Sequence, residues 1–229
     1  MADKKPTVNF ITPAGVFIFP KLTQPDEYKG KVTYNVKLRL KPDAIPAELT
    51  AKLEDLRDKL LAEKKAEFKA AKNGAALKTL KAVDVWKPEI DKETGDETGC
   101  VMLSAKTMAE GVSKRDGKKW FKKLKLFAAS GKELDPSKIQ IWGGTTGKLS
   151  IAAYAYHLPK ENEVGVGYRL EAAQILKLVS GSDKDAAGYG FGAEEGYAGE
   201  DDAGAEAPSE EGASGGEAAE NSAGSGDEF

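Results

Sequence analysis

A cluster of lysines and aromatic rings near the middle of the chain has the residue types that suit binding to a single nucleic acid strand. Between residues 114 and 125, seven cations are interleaved with two aromatic side chains. Cations can follow the phosphates of a strand, and flat rings give its bases a stacking surface, at about 1 to 3 kcal/mol per stacked base. We therefore predict DNA contacts from Lys114, Arg115, Lys118, Lys119, Trp120, Phe121, Lys123 and Lys125.

The same cluster also fits a solvated strand whose tryptophan packs in the core. Side chains alternate between the two faces of a strand. One face would carry Lys119, Phe121, Lys123 and Lys125, and the other Trp120, Lys122, Leu124 and Leu126. Phe121 is then expected to point outward, and the sequence leaves open whether Trp120 contacts bases or packs inward.

Other candidate contacts lie in the N-terminal part of the chain. Between Gly30 and Lys41, apolar residues alternate strictly with polar ones, which predicts a half-buried strand with a cationic face that includes Lys37 and Arg39. Phe17 and Phe19 would share one strand face with Lys21 and form a stacking platform, although two aromatics in an apolar strand are more often core residues.

The other aromatic residues give weaker indications. We assign Tyr34 to packing in the core. Trp86 and Trp142 fit either a lid on the core or a contact at its rim.

The elements that must position these residues are mostly strands. Apolar spacing and strong helix formers predict one prominent helix from Pro46 to Lys72, which Asn73 and Gly74 end. Strand candidates with turn signals between them follow at 82–86, 99–109, 118–129, 139–142, 148–158 and 168–179. The fold class is therefore mainly β, with an antiparallel barrel or sandwich and one helical insertion.

Charge divides the chain into two parts. Residues 1–180 hold 33 Lys and Arg against 23 Asp and Glu, whereas residues 181–229 hold one lysine and 14 acids. The second part also lacks Val, Ile, Leu and Met, so it has little apolar surface to offset the entropy of ordering. We predict a basic globular domain at 1–180, suited to a polyanionic partner, and a disordered acidic tail at 181–229.

The sequence gives little support for an enzyme. The one histidine, His157, lies in an alternating strand and has no second histidine to share a metal, and Cys100 is the only cysteine. The run from Gly143 to Lys148 departs from a phosphate-binding loop, because Leu149 follows the lysine and opens a strand. We predict no catalytic residue, metal or cofactor. With no apolar stretch long enough for a membrane helix, we expect an intracellular protein in a reducing compartment.

Several stretches together resemble the single-stranded DNA-binding proteins of T7-like and related bacteriophages. They are Tyr34–Pro42, Ile141–Tyr154, Tyr168–Val179 and the acidic ending Asp227, Glu228 and Phe229. The resemblance implies an OB-fold, a role in phage DNA replication and recombination, annealing of strands and location in the cytoplasm of the infected host. It also implies that the tail recruits replication proteins such as a DNA polymerase or helicase through Asp227, Glu228 and Phe229.

The strand after the glycine turn departs from that family, in which it is more basic. Here Ser150 and Ala152 follow Lys148. We therefore expect the main phosphate contacts elsewhere, at Lys37, Arg39 and the cluster at 114–125. We expect no membrane partner, and a homodimer is compatible with the sequence.

Two other classes of function compete with this hypothesis. An acidic-tailed interaction protein or chaperone would explain the tail, but it would not need the cationic surface predicted for residues 1–180. A nuclease or recombinase subunit would be expected to show a cluster of metal ligands, which the sequence lacks. Single-stranded DNA binding accounts for both the basic domain and the tail.

Overall fold

The computed structural model describes residues 6–113 and 115–179, all of which lie in the unit Met1–Asp183. Its strands are β1 (Thr7–Ile11), β2 (Gly15–Tyr28), β3 (Lys31–Leu40), β4 (Lys81–Ala82), β5 (Lys87–Ile90), β6 (Glu97–Met108), β7 (Glu110–Val112), β8 (Lys119–Phe121), β9 (Lys125–Ala128), β10 (Glu133–Leu134), β11 (Thr146–Leu158) and β12 (Glu163–Lys177). Its helices are α1 (Ala47–Ala70) and α2 (Gly74–Thr79), with 3-10 turns at Pro42–Ala44 and Pro136–Lys138. Lys114 and the predicted tail, with Asp227, Glu228 and Phe229, lie outside the described residues.

Five of these strands close into a barrel in the order β2, β3, β6, β12, β11 and back to β2. Four of the pairings are antiparallel, and β12 runs parallel to β6, with Tyr168 opposite Ala105. A closed ring with an odd number of strands must contain a parallel pair, because strand direction cannot alternate all the way around. This strand order is that of the OB-fold, a five-stranded Greek-key barrel. The predicted OB-fold-like barrel with a helical insertion is therefore confirmed.

Strand β3 has the alternation that the sequence predicts. Tyr34, Val36, Leu38 and Leu40 are buried, and Lys37 and Arg39 on the opposite face are exposed. The buried side chains join a core in which Leu103, Leu149 and Leu170 are fully enclosed. Period-two patterning therefore fixes which face of this strand meets the core and which carries charge.

Helix α1 is the predicted insertion and connects β3 to β6 by way of α2, β4 and β5. Its buried residues Leu53 and Leu56 join the core, and the helix packs against β11 and β12. Asn73 follows the helix and caps α2, since its side-chain oxygen accepts a hydrogen bond from the amide of Ala76 at 3.1 Å. None of the helices in the described part of the chain is long and apolar enough to span a membrane.

The structure decides the open alternative for Trp86 and shows that the strand predicted at 139–142 is wrong. Trp86 is a lid on the core, because its indole nitrogen donates to Thr50 at 3.0 Å and its ring stacks on Tyr168 with centroids 6.1 Å apart. The segment from Ile139 to Trp142 forms no strand, and the Trp142 side chain is exposed. The Trp142 amide instead donates a hydrogen bond to the carbonyl of Val179 at 3.1 Å, in the segment that follows β12.

Candidate nucleic-acid interface

A groove of about 580 Å³ crosses the outer face of the barrel over β3, β6, β12 and β11. We call it the tyrosine groove. The outward side chains that line it are Asn35 and Lys37 from β3, Ser104 and Lys106 from β6, and Tyr154 and Tyr156 from β11, with Asp84 and Lys87 at one side. The second and third barrel strands, here β3 and β6, form the oligonucleotide-binding face of many OB-folds.

The two tyrosines are held against glycines of the neighbouring strand. Tyr154 lies opposite Gly167 and Tyr156 opposite Gly165 in the antiparallel pairing of β11 with β12. A Cβ atom at Gly167 would lie 2.6 Å from the Tyr154 ring, and one at Gly165 would lie 2.7 Å from the Tyr156 hydroxyl oxygen. Each ring therefore rests on bare backbone and remains half-buried beside the groove. The sequence signal is Tyr-x-Tyr on one strand facing Gly-x-Gly on the next, which only the strand register shows.

The groove is cationic, and the Tyr156 ring beside it stays neutral. Lys37 lies next to Ser104 and Lys106 next to Asn35 across the β3–β6 pairing, and both lysines are exposed. Burial, followed by the nearby charge of Glu163, raises the pKa of Tyr156, so its hydroxyl remains protonated at neutral pH. Aromatic rings next to lysine side chains are the combination that single-stranded nucleic acid needs.

Arg39, a predicted DNA contact, has a carboxylate partner in this structure. Its Nε donates to Glu89 Oε1 at 2.8 Å, and the Thr98 hydroxyl donates to the other carboxylate oxygen at 2.8 Å. Lys92 lies 5.8 Å from the centre of the Phe19 ring. These contacts tie residues 87–100, which we call the β5–β6 arm, to outward side chains of β3 and β2. Arg39 anchors this arm, and much of its charge is compensated.

The arm anchor predicts a pH dependence. The hydrogen bond to Arg39 is the main cause that lowers the pKa of Glu89, with burial opposing it and Thr98 assisting. A carboxyl group with a lowered folded-state pKa contributes stability above its ordinary pKa and loses it as pH falls through the folded value. We expect Glu89→Gln to lower the melting temperature at pH 7 and to reduce the loss seen between about pH 5 and about pH 3. Thermal unfolding across this range checks it, and parallel pH curves for the two proteins would contradict it.

Residues 119–121 of the basic cluster form β8, which pairs with β7 in a two-stranded hairpin. Phe121 and Lys119 share one face and Trp120 lies on the other, as the alternation predicts. Phe121 is 75 % exposed, and Trp120 is 39 % exposed with its ring against Gly111. Arg115, Lys118, Lys119, Lys123 and Lys125 are all exposed. Both rings are therefore accessible, and neither belongs to the barrel core.

The base of the hairpin is fastened to the barrel. Lys122 donates to the hydroxyl of Thr107 at 3.3 Å and to Glu171 on β12 at 3.2 Å. Glu171 also accepts from Arg169 at 2.6 Å. Burial raises the pKa of Glu171, but these hydrogen bonds outweigh it and lower the pKa. Lys122 thus orients the hairpin, in which Arg115, Lys118 and Lys119 lie beyond this base, whereas Lys123 and Lys125 follow it.

The prediction that Phe17 contacts DNA is corrected by the structure. The Phe17 ring is 0 % exposed in the barrel core, and Gly147 packs against it. The register of β2 shifts between Ile18 and Lys21, where Phe19 has a φ of 48°. This bulge separates Phe17 from Phe19, which is 67 % exposed and lies near Lys92. Alternation predicts both rings on one face only if the strand is uninterrupted, and the bulge interrupts it.

His157 and the glycine turn have structural roles. His157 Nε2 lies 3.1 Å from the side-chain oxygen of Asn162, whose amide nitrogen donates to the carbonyl of Ala76 at 2.6 Å. These bonds tie the β11–β12 connection to α2. The turn before Gly147 leads into β11 and not into a helix, so it lacks the form of a phosphate-binding loop. Among the described residues, no group of His, Cys, Asp and Glu is placed to hold a metal ion.

Comparison with solved structures agrees with the barrel. Gp2.5, a single-stranded DNA-binding protein encoded by bacteriophage T7, has a TM-score of 0.59 over 81 % of this chain and 98 % of its own, at 17 % identity. This chain has the fold of gp2.5. The single-stranded DNA-binding protein from bacteriophage Enc34, in complex with single-stranded DNA, has a TM-score of 0.44 over 79 % of this chain and 95 % of its own, at 17 % identity. No protein-family model and no curated protein matches the sequence.

The predicted site residues fall into separate places. Lys37 lies in the tyrosine groove, and Arg39 and Phe19 contact the β5–β6 arm. Arg115, Lys118 and Lys119 lie on the hairpin, and Lys123 and Lys125 lie in the segment that follows it. Sequence reasoning missed Ser104, Lys106, Tyr154 and Tyr156, which complete the groove around Lys37. The structure therefore offers a ring-and-lysine groove as well as a basic hairpin.

Proposed function

We propose that this chain binds single-stranded DNA with little sequence preference, without catalysing a reaction, in phage DNA replication and recombination. The observation that carries the proposal is the pair of tyrosines resting on Gly165 and Gly167 beside Lys37 and Lys106. Bases would stack on the ring faces turned toward the groove, and phosphates would lie near the lysines. Stacking and phosphate contact require no particular base, so the same groove suits protection and annealing of any sequence.

A gel-shift titration with single-stranded and double-stranded oligonucleotides of the same sequence tests this function. We expect binding to the single strand at protein concentrations that leave the duplex free, because paired bases cannot stack on the tyrosines. Oligonucleotides of different composition should bind with similar affinity. Equal binding to both forms would contradict the proposal, because phosphate contacts alone would explain it. Binding to neither would contradict it and favour an acidic-tailed interaction protein or chaperone.

The hairpin and the segment after it, which includes Lys123 and Lys125, supply a second group of contacts in this proposal. Replacing Lys119, Lys123 and Lys125 with glutamine should weaken binding to all sequences alike and reduce the salt slope by about 2, at about 0.7 per phosphate contact. Phe121→Ala should weaken binding about 5-fold or more with the slope preserved, since a stacked ring carries no charge. Anisotropy titrations at several salt concentrations check both effects. Unchanged binding in both variants, with intact circular dichroism spectra, would show that these residues lie outside the interface.

The acidic residues 181–229 would compete with DNA and recruit replication proteins in the cytoplasm of the infected host. A tethered segment with 14 acids has a high effective concentration near a cationic surface. We expect a chain that ends at Ser180 to bind single-stranded DNA more tightly than the full chain at low salt, and the difference to shrink as salt screens both. Equal affinities at low salt would contradict the competition.

Recruitment through the end of the chain needs its own test. A terminal aromatic preceded by Asp227 and Glu228 suits a basic pocket with an apolar floor on a DNA polymerase or helicase. Deleting Phe229 alone should weaken capture of such a partner without changing DNA affinity. Undiminished capture would leave the acidic segment as a solubilising or nonspecific contact.

A further inference from the structure

A second groove, of about 860 Å³, opens on the barrel next to the tyrosine groove. We call it the tryptophan groove. Its lining includes Trp142 and the exposed lysines Lys21 and Lys123, together with the amide side chains of Gln24 and Gln140. It therefore repeats the chemistry of the tyrosine groove, since a flat ring and cations line the same surface.

Trp142 combines a hydrogen-bonded backbone with an exposed ring. The backbone on either side is fixed, since its amide donates to Val179 at 3.1 Å and its carbonyl accepts from Thr145 at 3.2 Å. The residue is nevertheless 51 % exposed. A rigid backbone that holds an exposed indole reduces the entropy lost when a flat ligand stacks on it.

The two grooves meet at the pairing of β2 with β3. Asn35 lines the tyrosine groove, and its Cα partner across the pairing is Lys21, which lines the tryptophan groove. Paired strands lie about 4.7 to 4.9 Å apart, so the two residues are neighbours. A chain that leaves the tyrosine groove over Asn35 therefore reaches Lys21 directly.

The charges in the tryptophan groove favour a polyanion. Its one carboxylate among the described residues is Asp135, which already accepts hydrogen bonds from the amide and the hydroxyl of Ser137 at 3.0 and 2.7 Å. Lys21 and Lys123 form none of the ion pairs found in the described part of the chain. Glutamine side chains can also hydrogen-bond to the edges of unpaired bases.

We propose that the tryptophan groove holds the continuation of the same DNA strand, with a base stacked on Trp142 and phosphates near Lys21 and Lys123. The inference rests on the proposed function and extends it from one groove to two. The interface then runs from Tyr156 over Asn35 and Lys21 to Trp142, and its two ends take bases on separate rings.

Binding of the full chain to two oligothymidylates tests this path. Their lengths of about 4 and about 16 nucleotides bracket the site sizes of OB-folds. Wild-type protein should bind the longer strand more tightly. Trp142→Ala should bind the longer strand about 5- to 150-fold more weakly than wild-type protein, which is the effect of one lost stacking contact. Trp142→Phe should restore most of it, because phenylalanine keeps a flat ring. The matched control is Ile11→Ala, which removes a 69 % exposed apolar side chain that lines neither groove and should leave both affinities unchanged.

The salt dependence gives a second measurement. Lys21→Gln with Lys123→Gln should reduce the salt slope on the longer strand by about 1.4, at about 0.7 per contact. If Trp142→Ala gains as much affinity from the longer strand as wild-type protein does, the inference is overturned and the proposed function stays intact. Tighter binding by Trp142→Ala would also overturn it, since the groove would then hold the chain's own acidic segment. A wild-type chain that binds neither strand would overturn both.

Discussion

Replacing Tyr154 and Tyr156 together with alanine should weaken single-stranded DNA binding by about 30-fold or more, because each ring contributes about 1 to 3 kcal/mol per stacked base. The rings rest on glycine backbone at the outer surface, so their removal opens no cavity in the core. The salt slope should stay at its wild-type value, since no charge is lost. Fluorescence anisotropy with a labelled oligonucleotide measures both quantities.

Two controls separate stacking from other effects. Tyr154→Phe with Tyr156→Phe keeps both rings and should retain most of the affinity. Tyr28→Ala removes an equally large ring that is 68 % exposed and lines neither groove, and it should change affinity little. If the alanine pair binds as tightly as wild-type protein while its circular dichroism is unchanged, the tyrosine groove is not the interface.

Removing the cations of the same groove should flatten the salt dependence of binding. In the wild-type chain, affinity for single strands should fall steeply with salt because each neutralised phosphate releases counterions. Replacing Lys37, Lys87 and Lys106 with glutamine should reduce the log–log slope by about 2, at about 0.7 per contact. Affinities of the two proteins should then approach each other as the salt concentration rises.

The matched control for this experiment lies on helix α1. Lys52, Lys65 and Lys69 are exposed there and line neither groove. Their replacement with glutamine changes the net charge by the same amount, so it measures the nonspecific effect of charge alone. A helix variant that loses as much slope as the groove variant, or a wild-type slope near zero, would remove the electrostatic part of the proposed function.

The sequence predicts the barrel well because its strands are amphipathic over long stretches. The alternation from Val32 to Leu40 fixes the buried face of β3, and apolar spacing fixes α1. Both patterns are local, and each is repeated over several residues. Exposed lysines on β3 follow from the same alternation, which is why Lys37 was found.

The rest of the interface depends on contacts between distant residues. Arg39 meets Glu89 fifty positions away, and nothing in either segment indicates the partner. Tyr154 and Tyr156 become a platform only when the register of β11 on β12 places them over Gly167 and Gly165. Phe17 and Phe19 were assigned to one face because a bulge cannot be read from apolar spacing alone.

The strand that closes the barrel has a consequence for synthesis of the protein. β12 (Glu163–Lys177) pairs with β11 and also with β6, whose Ala105 lies opposite Tyr168. A nascent chain therefore cannot complete the barrel until nearly all of residues 1–177 have left the ribosome, and the closing contacts have high contact order. Until then the inner faces of β2, β3 and β6 lack their last neighbour. Folding should accordingly be slow relative to a helical domain of this size, and fragments that stop before β12 should aggregate.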